Sequence, residues 1–306
     1  MDKYEIAKVM VQLLGPENVK IDEPMKKHTS FKVGGPADLF LTPGTYEEIA
    51  GIMNICHKNT IPYLFIGNGS NLLVRDKGIQ GVVIQLQERF NKCVVRGNII
   101  EAEAGALLSV IAQTALKHGL SGFEFASGIP GTLGGAIVMN AGAYGGEMKD
   151  VVIKTEYMDS NGKIKAVEGE NHKFGYRSSF AQNADVVVLK SYIRLHEGDK
   201  DEIKKLMDDL KCKRKEKQPL EYPSAGSVFK SKREEGYYSW QLVDGCCLRG
   251  YRIGGAEISN KHCNFIINVD NAKASDIISL IKLVQTKVKE KFNLDMETEI
   301  KIVGEE

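Results

Sequence analysis

The sequence predicts an α+β protein built from more than one domain, and three observations carry that expectation. Short apolar runs bounded by glycine or polar breaks, YLFIG (63–67), GVVIQL (81–86) and NIIEAEAG (98–105), have the length and borders of strands. Segments with apolar residues at helical spacing lie among and after them. The chain has 306 residues, 42% of them hydrophobic, enough for two or three cores rather than one.

Taken in order, the N-terminal MDKYEIAKVMVQLLG spaces its apolar residues helically around charges, unlike the uninterrupted core of a signal peptide. Residues 45–58 carry Ile49, Ile52, Met53 and Cys56 on one helical face, and 106–118 repeat the pattern. VVIKTEYMDSNGKIKAV (151–167) predicts a hairpin, with Asn161-Gly162 supplying positive φ angles at its turn. VVVLKSYIRL (186–195) predicts a further strand. Composition shifts at about residue 197 into a charged amphipathic helix with Ile203, Leu206 and Leu210, stopped by Pro219, which marks a domain boundary. KASDIISLIKLVQTKVKEKF repeats apolar residues at 277, 281, 284 and 288 as a second such helix. The closing METEIKIV alternates, setting Met296, Thr298, Ile300 and Ile302 against Glu297, Glu299 and Lys301.

Charge and cysteine usage narrow the function classes. With 41 basic and 40 acidic residues, no global field draws nucleic acid or an anionic membrane. No run approaches the ~18 apolar residues of a membrane span. The six cysteines (56, 93, 212, 246, 247 and 263) lack C-x-x-C spacing, and read as reduced thiols of a cytosolic protein, with no disulfide framework and no metal site.

Two glycine-rich stretches carry chemistry. GNGSNLLV (67–74) follows a strand and offers free N–H groups and small side chains to an anion. It departs from the dinucleotide fingerprint at Leu72, where a third glycine would open a helix, and no G-x-x-x-x-G-K-[ST] occurs anywhere. Alone, it reads better as a plain strand-to-loop turn. GIPGTLGGAIVMNAGAYGGE (128–147) has seven glycines in twenty residues and no charge before Glu147. A glycine costs roughly 0.5–1 kcal/mol against alanine in a regular element, so such a run implies close approach to the main chain. Either a ligand or a crossing strand makes that approach. Two such stretches about sixty residues apart favour a dinucleotide between them.

In order, GNGSNLLV, SGIPGTLGGAIVMNAGAYGGE, FGYRSSF, PSAGSVFK, GYRIGGAEIS and METEIKIVG closely resemble the motifs of the UDP-N-acetylenolpyruvoylglucosamine reductase family, from about residue 28 to the C-terminus. The resemblance implies an FAD-binding fold of the vanillyl-alcohol-oxidase type over 1–197, two subdomains dividing near residue 90. It further implies a third, α/β domain for a UDP-sugar over 198–295, and a C-terminal strand over 296–306 that returns to the FAD domain. The short interval from Arg177 to Ser227 resembles the shorter variety of the family. Implied too are NADPH as the hydride source, reduction of an enolpyruvyl double bond in peptidoglycan synthesis, and a cytoplasmic monomer that binds neither nucleic acid nor membrane.

Residue by residue, the resemblance assigns Ser227 as proton donor, Arg177 as the charge facing the substrate carboxylate, and Glu299 as the acid polarising the intermediate. The family pattern of acidic, any, acidic, aliphatic selects Glu299 over Glu297. FAD would lie on Gly67, Asn68, Gly69, Ser70 and Asn71, and on Pro130, Gly131, Gly134, Gly135, Asn140 and Gly142. Arg214 and Lys217 match diphosphate partners, or form the solvated end of a charged helix; His262 matches a polar substrate contact, or plays a structural part. The sequence departs from the family pattern after Lys230, where proline or asparagine is expected, and at Glu257, where a neutral amide is commoner. Competing readings are an oxidase on the same flavin scaffold and a nucleotide-sugar-binding module without cofactor.

Overall fold

The helical stripes fold where their spacing puts them. Thr45 caps the helix Tyr46–Lys58 by accepting the Glu48 N–H at 3.1 Å, and Glu47 and Glu48 occupy the first turn, where negative charge meets the positive end of the helix dipole. Its buried face is the expected Ile49, Ile52, Met53 and Cys56. The helix expected over 106–118 forms at Leu108–Lys117, the N-terminal one at Lys3–Leu14, and the charged one at Lys200–Lys217, though this last helix buries Ile203 and Met207 and leaves Leu206, expected on its apolar face, exposed. This computed structural model describes residues 2–182, 184–231 and 236–306.

Contacts gather the chain into two units assembled from separate stretches, 1–21, 39–68 and 81–214 in one, and 22–38, 69–80 and 215–306 in the other. The first holds a five-stranded antiparallel sheet in the order Ile164–Glu168, Val152–Asp159, Val186–Arg194, Ile99–Glu103, Cys93–Arg96. Its first two strands are the expected hairpin, with one difference at the turn. Only Gly162 takes a positive φ, +75°; Asn161 does not, because Asp159 Oδ1 accepts the N–H groups of both Asn161 and Lys163 at 3.0 Å and closes the loop itself. Tyr63–Ile66 pairs in parallel with Ile79–Gln85. The helices pack Ile52, Met53, Leu108 and Ile111 into one core with Ile84, Phe90 and Ile100.

In the second unit the helix Ala274–Phe292 buries Ile277, Leu280, Ile281, Val284 and Val288 against the three-stranded sheet Arg252–Ile253, Ala256–Ile258, Ile266–Asn268. Asp76 caps this helix from outside, accepting the N–H of Ala274 at 2.8 Å and of Ser275 at 3.0 Å. Those bonds hold its carboxyl below the usual range although burial alone would raise it. The alternating C-terminus is a strand only at Lys301–Val303, where it pairs in parallel with Leu72–Val74, directly after GNGSN.

Candidate active site

In the first unit the two glycine-rich stretches meet. Asn68 Nδ2 donates to the Pro130 carbonyl at 2.9 Å, and buried Gln85 donates to the Gly67 carbonyl at 3.0 Å. A Cβ on Gly67 would overlap the Thr132 hydroxyl, so the two turns approach as closely as bare backbone allows. The second stretch is less open than its composition implies. Leu133–Met139 is a helix, and the N–H groups of Leu133 and Gly134 go to the carbonyls of Ala106 and Ala104, both at 2.8 Å. A Cβ on Gly134 would come 2.9 Å from that of Ala104, so this glycine serves helix-on-strand packing and its N–H is not available to a ligand. Gly131 gives its carbonyl to the Leu108 N–H at 3.0 Å, and Gly135 is exposed, with only Thr132 Oγ1 near its Cβ position. Gly67 and Gly135, which carry no side chains and both face the Thr132 hydroxyl, form a ledge of small groups that fits a flat, phosphate-bearing group such as FAD.

Past the helix the chain turns sharply. Gly142–Ala143 and Gly146–Glu147 pair across a two-residue turn in which Tyr144 (φ +53°) and Gly145 (φ +93°) are both left-handed. A tyrosine in that conformation costs about 1 kcal/mol or more. A Cβ on Gly142 would come 2.6 Å from Glu147 Cγ. Asn140, 1% exposed and itself left-handed, donates through Nδ2 to Glu147 Oε2 at 2.9 Å and to the Gly175 carbonyl at 3.0 Å. Its Oδ1 accepts the Lys149 N–H at 3.0 Å.

Gly175 opens the turn that carries Arg177. Gly175 and Ser178 exchange backbone bonds at 3.1 and 3.3 Å, and Arg177 between them has φ +53°, with its guanidinium 5.2 Å from the Tyr176 ring centroid. Arg214, half-buried near the end of its helix, has no carboxylate in salt-bridge reach among the described residues; burial lowers its pKa and the Tyr144 phenol acts against that. Lys217, at the exposed end of the same helix, is solvated.

In the second unit, Gly69 (φ +60°) lies where a Cβ would overlap the His28 carbonyl, and Ser70 beside it is half-buried. Asn71 Nδ2 donates to the Glu299 carbonyl at 3.0 Å, while the Asn71 carbonyl accepts the Lys301 N–H at 2.9 Å. The Glu299 N–H in turn donates to Val228 at 2.7 Å, Phe229 bridges Thr298, and the Lys230 N–H donates to Glu297 at 3.0 Å. Ser227, half-buried after Gly226 (φ +77°), thus stands at the head of a segment zipped to Glu299, and its hydroxyl has no hydrogen-bond partner among the described residues. Glu297 has a side chain 75% exposed and paired with Lys230 at 3.1 Å, whereas Glu299 is half-buried.

Sequence reasoning missed Asn264. Only 4% exposed, it accepts the Phe229 N–H at 3.1 Å and donates to the Phe229 carbonyl at 3.0 Å and to Ser239 Oγ at 2.7 Å, while its carbonyl takes the Val228 N–H. An asparagine amid apolar residues in CNFIIN was the available signal. His262 is engaged locally: Nδ1 accepts the Asn264 N–H at 3.3 Å, its ring meets Phe265 edge-on, and burial lowers its pKa. Glu257 accepts from Asn260 at 3.2 Å. Of the departure expected after Lys230, residues 232–235 lie outside the described residues.

A family model for an FAD binding domain matches residues 37–168, and one for the C-terminal domain of UDP-N-acetylenolpyruvoylglucosamine reductase matches 218–303. The reductase so named from Caldanaerobacter subterraneus subsp. tengcongensis is 53% identical over 294 residues, 96% of each chain. That from Clostridium novyi is 51% identical over 306 residues, 100% of this chain and 99% of the relative. The crystal structure of the Thermus caldophilus reductase superposes with a TM-score of 0.79 at 35% identity, covering 93% of this chain and 97% of its own. More distantly, a Phl p 4 variant described as a glucose oxidase shares the fold alone, with a TM-score of 0.52 at 15% identity over 65% of this chain and 45% of its own. The fold is therefore the α+β, FAD-binding type of the vanillyl-alcohol-oxidase class with an added α/β domain, as the motifs imply. By matched domains at both ends and about half its residues shared along its whole length, the chain belongs to the UDP-N-acetylenolpyruvoylglucosamine reductase family of FAD-binding oxidoreductases.

Proposed function

We propose that this chain reduces the enolpyruvyl group of UDP-N-acetylglucosamine-enolpyruvate to give UDP-N-acetylmuramate, with NADPH as hydride source, as a cytoplasmic monomer serving peptidoglycan synthesis. The observation that carries the reading is the zipping of 228–230 to 297–299, which fixes the backbones bearing Ser227 and Glu299 side by side and leaves the Ser227 hydroxyl without a hydrogen-bond partner among the described residues. FAD, when bound, carries hydride between NADPH and the substrate's double bond.

The protein's own groups do the rest. Gly67, Asn68, Gly69, Ser70 and Asn71, with Pro130, Gly131, Gly135 and Gly142, offer backbone and small side chains to the cofactor. Arg177 holds the substrate carboxylate and opposes the negative charge that builds next to it; such preorganised charge is worth about 10²–10³ in rate. Ser227 gives its proton to the carbanion-like carbon left after hydride addition. A serine is a weak acid, and that carbon is a strong enough base to take the proton. Glu299 polarises the same centre. Arg214 and Lys217 bind the diphosphate; Arg214 supports this, because a half-buried guanidinium with no carboxylate in salt-bridge reach among the described residues is suited to an anionic ligand. His262 supports the substrate segment through its neutral ring.

The test is direct. Purified full-length protein should carry the flavin absorbance, consume NADPH anaerobically in one turnover, and then convert one equivalent of the enolpyruvyl sugar in a stopped-flow experiment. Rapid oxygen consumption without the sugar would instead make it an oxidase, and colourless protein that binds the sugar would make it a binding module.

A further inference from the structure

Asn140 lies where the motif resemblance puts a cofactor contact, yet its side chain is turned into the protein. Both Nδ2 hydrogens are committed, one to Glu147 Oε2 at 2.9 Å and one to the Gly175 carbonyl at 3.0 Å, and Oδ1 takes the Lys149 N–H at 3.0 Å. The residue is 1% exposed and left-handed (φ +42°, ψ +55°), a conformation asparagine tolerates better than most residues. The Gly175 carbonyl it holds is the first corner of the Arg177 turn, whose own closure depends on two long backbone bonds of 3.1 and 3.3 Å. Arg177 is left-handed too, at φ +53°, and a non-glycine residue stays in that region only where its surroundings enforce it. Glu147 is itself fixed, its N–H bonded to Asp150 at 2.8 Å and its carboxylate paired with Lys149 at 3.0 Å.

From this we infer that Asn140 is a positioning residue: its amide ties the C-terminal end of the helix Leu133–Met139 to the turn of Arg177 and so fixes where that guanidinium is presented. The inference rests on the role proposed for Arg177, but its first readout does not. Asn140→Asp keeps the size and the left-handed tolerance, removes both donors, and sets a carboxylate against two acceptors. Native-state hydrogen exchange should then rise about tenfold or more in the peptide covering 174–180, with exchange elsewhere in the sheet unchanged. If that peptide exchanges as in wild type, the inference is wrong whatever the enzyme does. Should Asn140→Asp unfold the chain, Glu147→Ala removes one anchor of the same amide and must loosen the same peptide more weakly.

The second readout is kinetic. The enolpyruvyl-reducing step should slow about 10- to 100-fold, the scale set by an ångström of misplacement, while FAD content and the NADPH-consuming step stay at wild-type values. In an Arg177→Ala background, Asn140→Asp should add no further loss. Additive losses, or loss of FAD in the single variant, would mean that Asn140 acts on the cofactor and not through Arg177. Looser exchange together with a wild-type protein that cannot reduce the sugar would fault the proposed reaction and leave the structural tie standing.

Discussion

The backbone N–H of Glu299 donates to the carbonyl of Val228 at 2.7 Å, and Asn71 holds the carbonyl of the same glutamate at 3.0 Å. One residue is thereby pinned on both sides, by the segment that begins at Ser227 and by the loop that begins at Gly67. Hydrogen bonds of this kind are worth about 1 kcal/mol each, but here their effect is geometric: Ser227 and Glu299 cannot move independently. The roles proposed for them, a proton donor and a polarising carboxylate acting on one carbon, need that constraint.

Ser227→Ala should therefore separate the two half-reactions. With the backbone bond to Glu299 kept and only a hydroxyl lost, the NADPH-consuming step should remain near wild type, and enolpyruvyl reduction should fall by about 10²–10⁴. Single-turnover stopped-flow traces of each step decide it. Equal slowing of both would remove Ser227 from the proton-donor role.

The two glutamates of METEI should differ sharply. Glu299→Gln keeps the backbone and removes the charge, so the enolpyruvyl step should slow by orders of magnitude. Glu297→Gln loses only an exposed pair with Lys230, worth about 0–1 kcal/mol of stability, and should leave turnover within about twofold. Steady-state kcat for the two variants side by side is the measurement, and the reverse ranking would mean the wrong acid has been assigned.

How much of this could be seen in the sequence follows from what each feature depends on. The helix Ala274–Phe292 was legible because five turns of period-3.6 residues leave no alternative. The short helix Leu133–Met139 was not: Gly134 and Gly135 in its first turn oppose helix, and what enforces it is the pair of carbonyls on Ala104 and Ala106, some thirty residues away. The glycine stretches announced close approach, but only the fold reveals that Gly67 yields to Thr132 while Gly134 yields to Ala104. The structural partners of Asn71 and Asn140, named from the sequence only as cofactor contacts, and of Asn264, not named at all, were hidden for a common reason: each amide binds distant main chain, which the sequence does not point to. The same holds for the left-handed backbone of Arg177.

Gly67→Ala should cost the protein its cofactor. The new methyl collides with the Thr132 hydroxyl, so one of the two turns must retreat and the ledge between them opens. The FAD-to-protein absorbance ratio after gel filtration should fall well below that of wild type. Thr132→Ala in addition removes the oxygen and leaves the nearest carbon at 3.2 Å, a contact that small shifts relieve, so the double variant should recover part of the FAD. Absence of any recovery would show that Gly67 is needed for a direct approach to the ligand and not for the Thr132 contact.

His172 should make the fold acid-sensitive. The ring is 1% exposed, stacked on Phe174 at 4.8 Å between centroids, with Nδ1 at 2.9 Å from the Gly169 carbonyl and Nε2 at 3.0 Å from Thr155 Oγ1, which in turn meets Ser191 Oγ at 2.9 Å. A carbonyl can only accept, so Nδ1 carries the proton, Nε2 accepts from Thr155, and the neutral ring satisfies the whole chain of bonds. Burial pushes the His172 pKa below its ordinary 6.5, against the raising influence of the Gly169 carbonyl and of Glu168. Because the folded value lies below the unfolded one, the unfolded chain binds the extra proton first. Stability is then full above about pH 6.5 and declines as pH drops toward the folded value, by no more than about 1.4 kcal/mol per pH unit from this single site. His172→Gln should lower the thermal midpoint at pH 7.5 but flatten its fall between pH 6.5 and 5.0. Parallel curves for the two proteins would assign the acid sensitivity to another group.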